Sequence, residues 1–172
     1  MPSTETASTL IPKRLAWIST WDVRCGIAEY SRFLFEQWPL EEQVITLLND
    51  IRASPATQQV GQNVINSLPT WSLGDNDSLQ NVFDTLVKLA PDALIIQHQP
   101  GLIRWDGLKL LLEIAIAQSI PCTVILHNVQ DLLEQEDASS IALTLQKIAH
   151  LLVHTQRDRL QLAKLGLKRN LS

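Results

Sequence analysis

The sequence predicts an α/β fold, a Rossmann-like and mostly parallel sheet with helices on both faces. Two observations support this class. Short apolar runs alternate with helix-periodic segments from residue 14 onwards, which is typical of parallel strands buried on both sides. The stretch from Arg14 to Trp38 begins with an apolar run, turns at Gly26 and becomes helix-periodic, which is the opening unit of a nucleotide-type α/β fold.

The composition is that of one soluble globular domain. The chain has 172 residues, 45% of them hydrophobic, and a formal net charge of -4, which argues against nucleic acid as the main partner. Two cysteines cannot form a disulfide framework, and no apolar run approaches the roughly 20 residues of a membrane span. Residues 1–13 lack the features of a signal peptide and are expected to be a disordered leader. We therefore expect a cytoplasmic protein.

In the first half of the chain the sequence predicts two strands and two helices. Pro39 is expected to end the first helix, and residues 75–78 form an N-cap cluster for the second. The polar stretch from Ile51 to Pro69 has no clear period and predicts a long surface loop, followed by a short strand near Thr70 to Ser72. The predicted strands are Leu15–Ser19 and Val44–Leu48, and the predicted helices are Ile27–Gln37 and Leu79–Leu89.

The second half continues the alternation. Asp106, Asp137 and Thr155 are expected to cap three helices, and Gly166 is expected to end the last of them. The predicted strands are Ala93–Ile96, Cys122–Leu126 and Leu151–Val153, and the predicted helices run over 108–118, from the Asp137 cap to about Ala149, and from the Thr155 cap onwards. Right-handed crossovers place the carboxyl ends of parallel strands on one sheet edge, where ligands bind. Residues 20–26, 97–105, 127–131 and Thr155 should therefore converge.

Cys25 and Gly26 lie in the first of these edge segments. Gly26 has no partner glycines, so the six-residue dinucleotide fingerprint is absent. A tight turn explains this glycine as well as a ligand contact does. Cys25 beside a helix N-terminus is either a packed thiol or a reactive one, and packing is the simpler interpretation because no base adjoins it in sequence.

Four polar residues follow the two central strands. His127 and Asn128 come directly after Leu126, and Gln97 and His98 follow Ile96. Amides and imidazoles both donate and accept hydrogen bonds, which suits a hydroxyl-rich ligand. The alternatives are hydrogen-bonded structural residues or an ordinary polar loop.

Three further features have a structural and a functional interpretation. His150 and His154 are about 13 Å apart if their segment is a strand, too far for one metal ion. Trp21 and Trp105 lie in edge loops and either stack on a sugar ring or belong to the core. Residues 156–172 form a basic amphipathic segment, which is an ordinary surface helix or, as the minority interpretation, a peripheral contact with the inner face of the membrane.

Four segments carry a family resemblance. They are WDVRCGIAEYSRFL, DALIIQHQPGLIRWDGLKLLLEIA, CTVILHNVQD and IAHLLVHTQRDRLQLAKLGL. In this order they resemble the N-terminal domain of family-4-like glycosyltransferases of the GT-B type, in particular a subset with an RCGIA motif. Many members have two adjacent glycines where this chain has Cys25-Gly26.

The resemblance implies one half of a two-domain GT-B architecture. Residues 14–172 would form the acceptor-side domain of a retaining glycosyltransferase, and the donor-binding C-terminal domain would be absent from this chain, which would be inactive alone. The substrates would be a nucleotide-diphosphate sugar and a glycan or lipid-linked acceptor. Gly26 would lie near the donor phosphates, His127 would reach towards the donor sugar, and Gln97 and His98 would line the acceptor side. No catalytic residue and no metal are expected here. The alternatives from the residues themselves are a stand-alone Rossmann-like binding module and an interaction domain.

Overall fold

The computed structural model describes residues 14–38, 44–72, 77–168 and 171–172. The predicted leader, Pro39 and the first half of the N-cap cluster at 75–78 lie outside the described residues. The predicted fold class is confirmed, because the chain forms a mostly parallel sheet flanked by helices. No described helix is long and apolar enough to cross a membrane.

The sheet has seven strands in the order β3-β4-β2-β1-β5-β6-β7. All neighbours are parallel except β3, which pairs antiparallel with β4 at one edge. Because these pairings are parallel, the carboxyl ends of the six parallel strands share one edge of the sheet, and the strand order reverses direction beside β1. The strands are β1 (Arg14–Ile18), β2 (Val44–Asp50), β3 (Ala56–Val60), β4 (Asn63–Trp71), β5 (Ala93–His98), β6 (Cys122–Leu126) and β7 (His150–Val153).

The helices divide unequally between the two faces. One core contains apolar residues of α2, α3, α5 and α6 packed on alternate strand positions such as Ile18, Ile96 and Val124. The smaller core lies under α1, where Phe35 packs edge-on against Trp17 with ring centroids 4.6 Å apart. The helices are α1 (Gly26–Glu36), α2 (Gln80–Leu89), α3 (Trp105–Ala117), α4 (Gln130–Leu133), α5 (Ala138–Leu145) and α6 (Gln156–Lys164).

The prediction of a surface loop from Ile51 to Pro69 is wrong. This stretch forms β3 and most of β4, and β4 pairs along its length with β2. Its buried side is partly polar, with Asn63 and Ser67 facing inwards. Asn63 Nδ2 donates to the carbonyl of Phe35 at 3.1 Å, so its amide nitrogen has a partner distant in sequence, whereas its buried Oδ1 makes no hydrogen bond to the described residues.

Several helix boundaries also differ from expectation. Helix α3 begins at Trp105 with Arg104 as its N-cap, so Asp106 lies in the first turn instead of capping. Asp137 is the N-cap of α5, although its side chain makes no capping bond, and the helix ends at Leu145. The predicted cap of α6 is confirmed: Thr155 Oγ1 accepts a hydrogen bond from the Asp158 N–H at 3.1 Å.

Candidate functional site

A hydrogen-bonded chain of polar side chains crosses the carboxyl edge of the sheet from β1 to β7. Ser19 Oγ lies 2.8 Å from Ser31 Oγ, which lies 2.8 Å from Gln97 Nε2. Gln97 Oε1 lies 2.7 Å from His127 Nε2, and His127 Nδ1 lies 3.1 Å from His154 Nε2. The residues that directly follow β1, β6 and β7 therefore meet one residue of α1 and one of β5 in a single site. We call this site the polar edge: Ser19, Ser31, Gln97, His127 and His154.

The direction of donation along the polar edge follows from its β1 end. Ser19 Oγ donates to the carbonyl of Thr20 at 3.2 Å, so it accepts from Ser31. The Ser31 hydroxyl has then used its only proton and accepts from the amide of Gln97. Gln97 Oε1 consequently faces His127 as an acceptor. His127 therefore carries its proton on Nε2.

Burial increases along the polar edge towards β1. Ser19, Ser31 and Gln97 are buried, His127 is half-buried and His154 is exposed. Tyr30 of α1 packs edge-on against both imidazoles, with ring centroids 5.4 Å from each. Burial, together with the neighbouring His154, lowers the pKa of His127 to about 4. His127 is therefore a neutral imidazole at physiological pH.

Cys25 acts as the N-cap of α1. Its Sγ accepts a hydrogen bond from the Ala28 N–H at 3.4 Å and lies 3.1 Å from the hydroxyl of Thr20. These contacts give the thiol a structural role at the start of the helix, which agrees with the packing interpretation.

Gly26 is the first residue of α1, and the tight-turn interpretation does not fit it. Its φ is not positive, and a Cβ built on it meets no atom within 4 Å. The left-handed residue of this loop is Asp22, with φ of 54°. The backbone conformation therefore does not require glycine at position 26.

The structure separates Gln97 from His98, which the sequence places together. Strand β5 continues through His98, so the two side chains point to opposite faces. His98 is 0% exposed and packs against the Trp105 ring with centroids 4.1 Å apart. Neither ring nitrogen makes a hydrogen bond of ordinary geometry, although the Ile103 backbone is near enough to offset slightly the burial that lowers the pKa of His98 to about 3. His98 is therefore a neutral histidine of the core.

The remaining candidates take local structural positions. Asn128 Oδ1 accepts from the Gln130 N–H at 3.0 Å and so begins α4. Trp21 and Trp105 are 1% and 4% exposed, which places both in the core and not on a surface for ring stacking. Among the described residues no group of three or more histidine, cysteine or carboxylate side chains could hold a metal ion.

A second polar cluster lies at the same edge, on the β2 and β4 side. Asn49 Oδ1 accepts from the Trp21 N–H at 3.0 Å, and Asn49 Nδ2 donates to the Trp21 carbonyl at 3.3 Å. Beside it, the Arg52 guanidinium pairs with the buried Asp50 carboxylate at 2.7 Å. These residues line an open cavity of about 590 Å³, together with Asp22, Ser54 and Ser67.

Sequence reasoning missed three members of the polar edge: Ser19, Ser31 and His154. The sequence did contain an indication for Ser31, because this polar residue lies on the side of α1 that carries the buried Ala28 and Phe35. His154 had one as well, since it follows β7 as His127 follows β6. The cavity beside Asn49 had a partial signal, since Asn49 and Asp50 directly follow the predicted strand Val44–Leu48, but most of β4 was predicted as a loop.

Comparison with known proteins identifies the fold. No family model matches the sequence, and no curated protein matches it. A solved structure of the trehalose-6-phosphate synthase OtsA matches with a TM-score of 0.56 at 12% identity, over 91% of this chain and 44% of that one. A second structure is a trehalose-6-phosphate structure from E. coli, described as bound with UDP-2-fluoro glucose. It matches with a TM-score of 0.52 at 13% identity, over 91% of this chain and 43% of that one.

A third structure is described as a UDP-forming trehalose-phosphate synthase from Burkholderia xenovorans. It matches with a TM-score of 0.52 at 11% identity, over 90% of this chain and 42% of that one. This chain thus spans less than half the length of each of these structures. The shared feature is the fold of one Rossmann-like domain of a GT-B glycosyltransferase.

Proposed function

We propose that this chain is the N-terminal, acceptor-side domain of a retaining, nucleotide-sugar-dependent GT-B glycosyltransferase of the family-4-like subset. The observation that carries the proposal is the polar edge. One residue from each of the four segments that resemble the family belongs to its hydrogen-bonded chain, which is buried at the β1 end and exposed at His154. The chain lies at the edge where ligands bind in parallel α/β sheets, in a domain with a glycosyltransferase fold.

The surroundings of Gly26 support a ligand near the start of α1. The backbone does not need glycine there, and the space beside its Cα is open. The first N–H groups of an α-helix attract anionic oxygens. We expect a donor diphosphate to approach this helix end, where Gly26 adds no side chain, and this would give the glycine a role that the fold alone does not.

The cavity beside Asn49 suits the acceptor. Its volume of about 590 Å³ is within the range of small-molecule sites. Its lining includes the Ser54 hydroxyl, the Arg52 guanidinium and the Asp22 carboxylate, and the two charged groups are paired with Asp50 and Arg32. These groups can share further hydrogen bonds with sugar hydroxyls or with a charged substituent. We therefore assign the acceptor, a glycan or a lipid-linked saccharide, to this half of the edge.

The donor would be held mainly by a second domain. The solved structures with this fold are more than twice as long as the part that this chain matches, and one is described as bound with UDP-2-fluoro glucose. We expect the 172-residue chain to transfer no sugar by itself. A cytoplasmic location agrees with this role, and exposed Arg157, Arg159 and Leu160 on α6 would provide a peripheral membrane contact.

A transfer assay on the complete gene product tests the proposal. Nucleoside diphosphate release is measured with a panel of nucleotide sugars and saccharide acceptors, and the anomeric configuration of the product is read by NMR. We expect transfer with retention by the complete product and none by the 172-residue chain. No transfer with any donor, together with tight calorimetric binding of a nucleotide by this chain alone, would support a stand-alone binding module instead.

A further inference from the structure

The two histidines of the polar edge differ in how many ring nitrogens they have available. Both nitrogens of His127 are used within the protein, Nε2 with Gln97 and Nδ1 with His154. His154 uses only Nε2, and its Nδ1 makes no hydrogen bond to the described part of the chain. His154 is also exposed, whereas His127 is half-buried. The imidazole nitrogen that a ligand can reach therefore belongs to His154.

The direction of donation fixes the tautomer of each ring. Since Gln97 Oε1 is an acceptor, His127 donates through Nε2–H and its Nδ1 carries a lone pair. His154 must then donate through Nε2–H to that lone pair. The Nδ1 of a neutral His154 is left as an acceptor. The polarity of the whole chain thus comes from the Ser19 hydroxyl, which donates to the Thr20 carbonyl.

We propose that His154 is the ligand-contacting imidazole of the polar edge, with Nδ1 accepting a hydrogen bond from a sugar hydroxyl, and that His127 is a positioning residue. His127 holds His154 in the Nε2–H tautomer and, with Tyr30, fixes the orientation of its ring. The ligand class rests on the proposed function. The proposal assigns the ligand contact to His154, which follows β7, instead of to His127, which follows β6.

The first test reads the tautomers directly in the 172-residue chain. Long-range ¹H–¹⁵N correlation spectra at neutral pH are expected to show His127 and His154 both protonated on Nε2. His127→Phe removes the acceptor, so the His154 signals are expected to move towards a mixture of tautomers. His150→Asn changes an exposed histidine of the same strand and serves as the control, with no change at His154. An Nδ1–H tautomer of His154 in the wild-type chain would overturn the proposal even if a variant does not fold.

The second test separates contact from positioning in the complete gene product. In His154→Gln the amide replaces the Nε2 donor but offers nothing at the Nδ1 position. We expect kcat/KM to fall about tenfold, the effect of one lost polar contact, while the His127 tautomer stays the same. In His127→Phe the His154 Nδ1 can still accept in part of the molecules, so kcat/KM is expected to fall only about threefold.

A larger loss in His127→Phe than in His154→Gln would assign the contact to His127 and overturn the proposal. If the wild-type gene product transfers no sugar from any donor, the proposed function fails, and the ligand assigned to His154 fails with it. The tautomer spectra decide the positioning role of His127 independently of that outcome.

Discussion

Acidification tests the placement of His98 in the core. The side chain is fully buried against Trp105, and burial lowers its pKa to about 3 from an ordinary value of 6.5. In the unfolded chain the same histidine titrates near 6.5. Between these values the unfolded state binds a proton that the folded state does not. His98 therefore contributes stability above about pH 6.5 that is lost as the pH falls towards 3.

The size of this loss follows from linkage. Between about pH 7.5 and pH 5 the unfolded histidine gains nearly one proton, and the folded one gains almost none. The free energy of unfolding should fall by about 2 kcal/mol from His98 alone. The figure depends on the folded pKa being well below 5, and not on its precise value. His127 lowers the free energy of unfolding in the same direction, because its pKa is also lowered, to about 4. Its contribution is smaller because the side chain is only half-buried and solvent screens the effect.

The assay is urea denaturation at both pH values, compared with a variant. His98→Phe keeps a ring beside Trp105 and removes the titrating group. On acidification, we expect the free energy of unfolding of this variant to fall by about 2 kcal/mol less than that of the wild type. His150→Asn, at an exposed position, is the matched control and should follow the wild type.

Equal losses in the wild type and His98→Phe would contradict the reasoning. They would mean that His98 can be protonated in the folded chain, and so that it reaches water. The interpretation of His98 as a surface residue facing a ligand would then regain support over its assignment to the core.

Three further predictions concern Asn49, Gly26 and Cys122. Asn49→Leu removes two hydrogen bonds to the Trp21 backbone in a buried site and should lower the unfolding free energy by about 2–3 kcal/mol in urea titrations; unchanged stability would contradict the bonding. Gly26→Ala should leave that free energy within about 0.5 kcal/mol yet slow sugar transfer by the gene product, whereas a marked loss of stability would assign the glycine to the fold. Burial raises the pKa of Cys122 to about 12, so a thiol reagent should modify Cys25 first and Cys122 only on unfolding; equal rates would be the opposite result.

Most of the parallel sheet could be predicted because its strands are buried on both sides. Ala93–Ile96 is apolar at every position and Cys122–Leu126 at every position except Thr123, and that pattern depends on no partner. The β4 strand could not be predicted in this way. Its inward-facing Asn63 and Ser67 each form a hydrogen bond with a residue elsewhere in the chain, Phe35 and Asn49 respectively. Pro69 also argued against a strand in the sequence. In the structure this proline lies beside a register shift between β2 and β4, where a missing N–H donor is tolerated.

The site was predicted at the level of segments and less well at the level of residues. The right-handed crossover rule brought Gln97 and His127 to one edge, where they form a hydrogen bond. It could not say that β5 continues for two more residues, which directs His98 into the core. The hydrogen-bond partners of an imidazole depend on neighbours across the sheet. The proposed ligand contact of His154 and positioning role of His127 could therefore be inferred only from the structure.

The most direct test of the central claim compares the two ends of the sheet. Gln97→Leu interrupts the polar edge at its centre. Arg14→Gln breaks an exposed ion pair with Asp92 at the opposite, amino end of the strands. In complete gene products shown to be folded, we predict that Gln97→Leu, which acts on the site only through His127, lowers kcat/KM for sugar transfer about threefold while Arg14→Gln keeps the wild-type value. Equal rates in both variants, or a loss confined to Arg14→Gln, would contradict a functional site at the carboxyl edge.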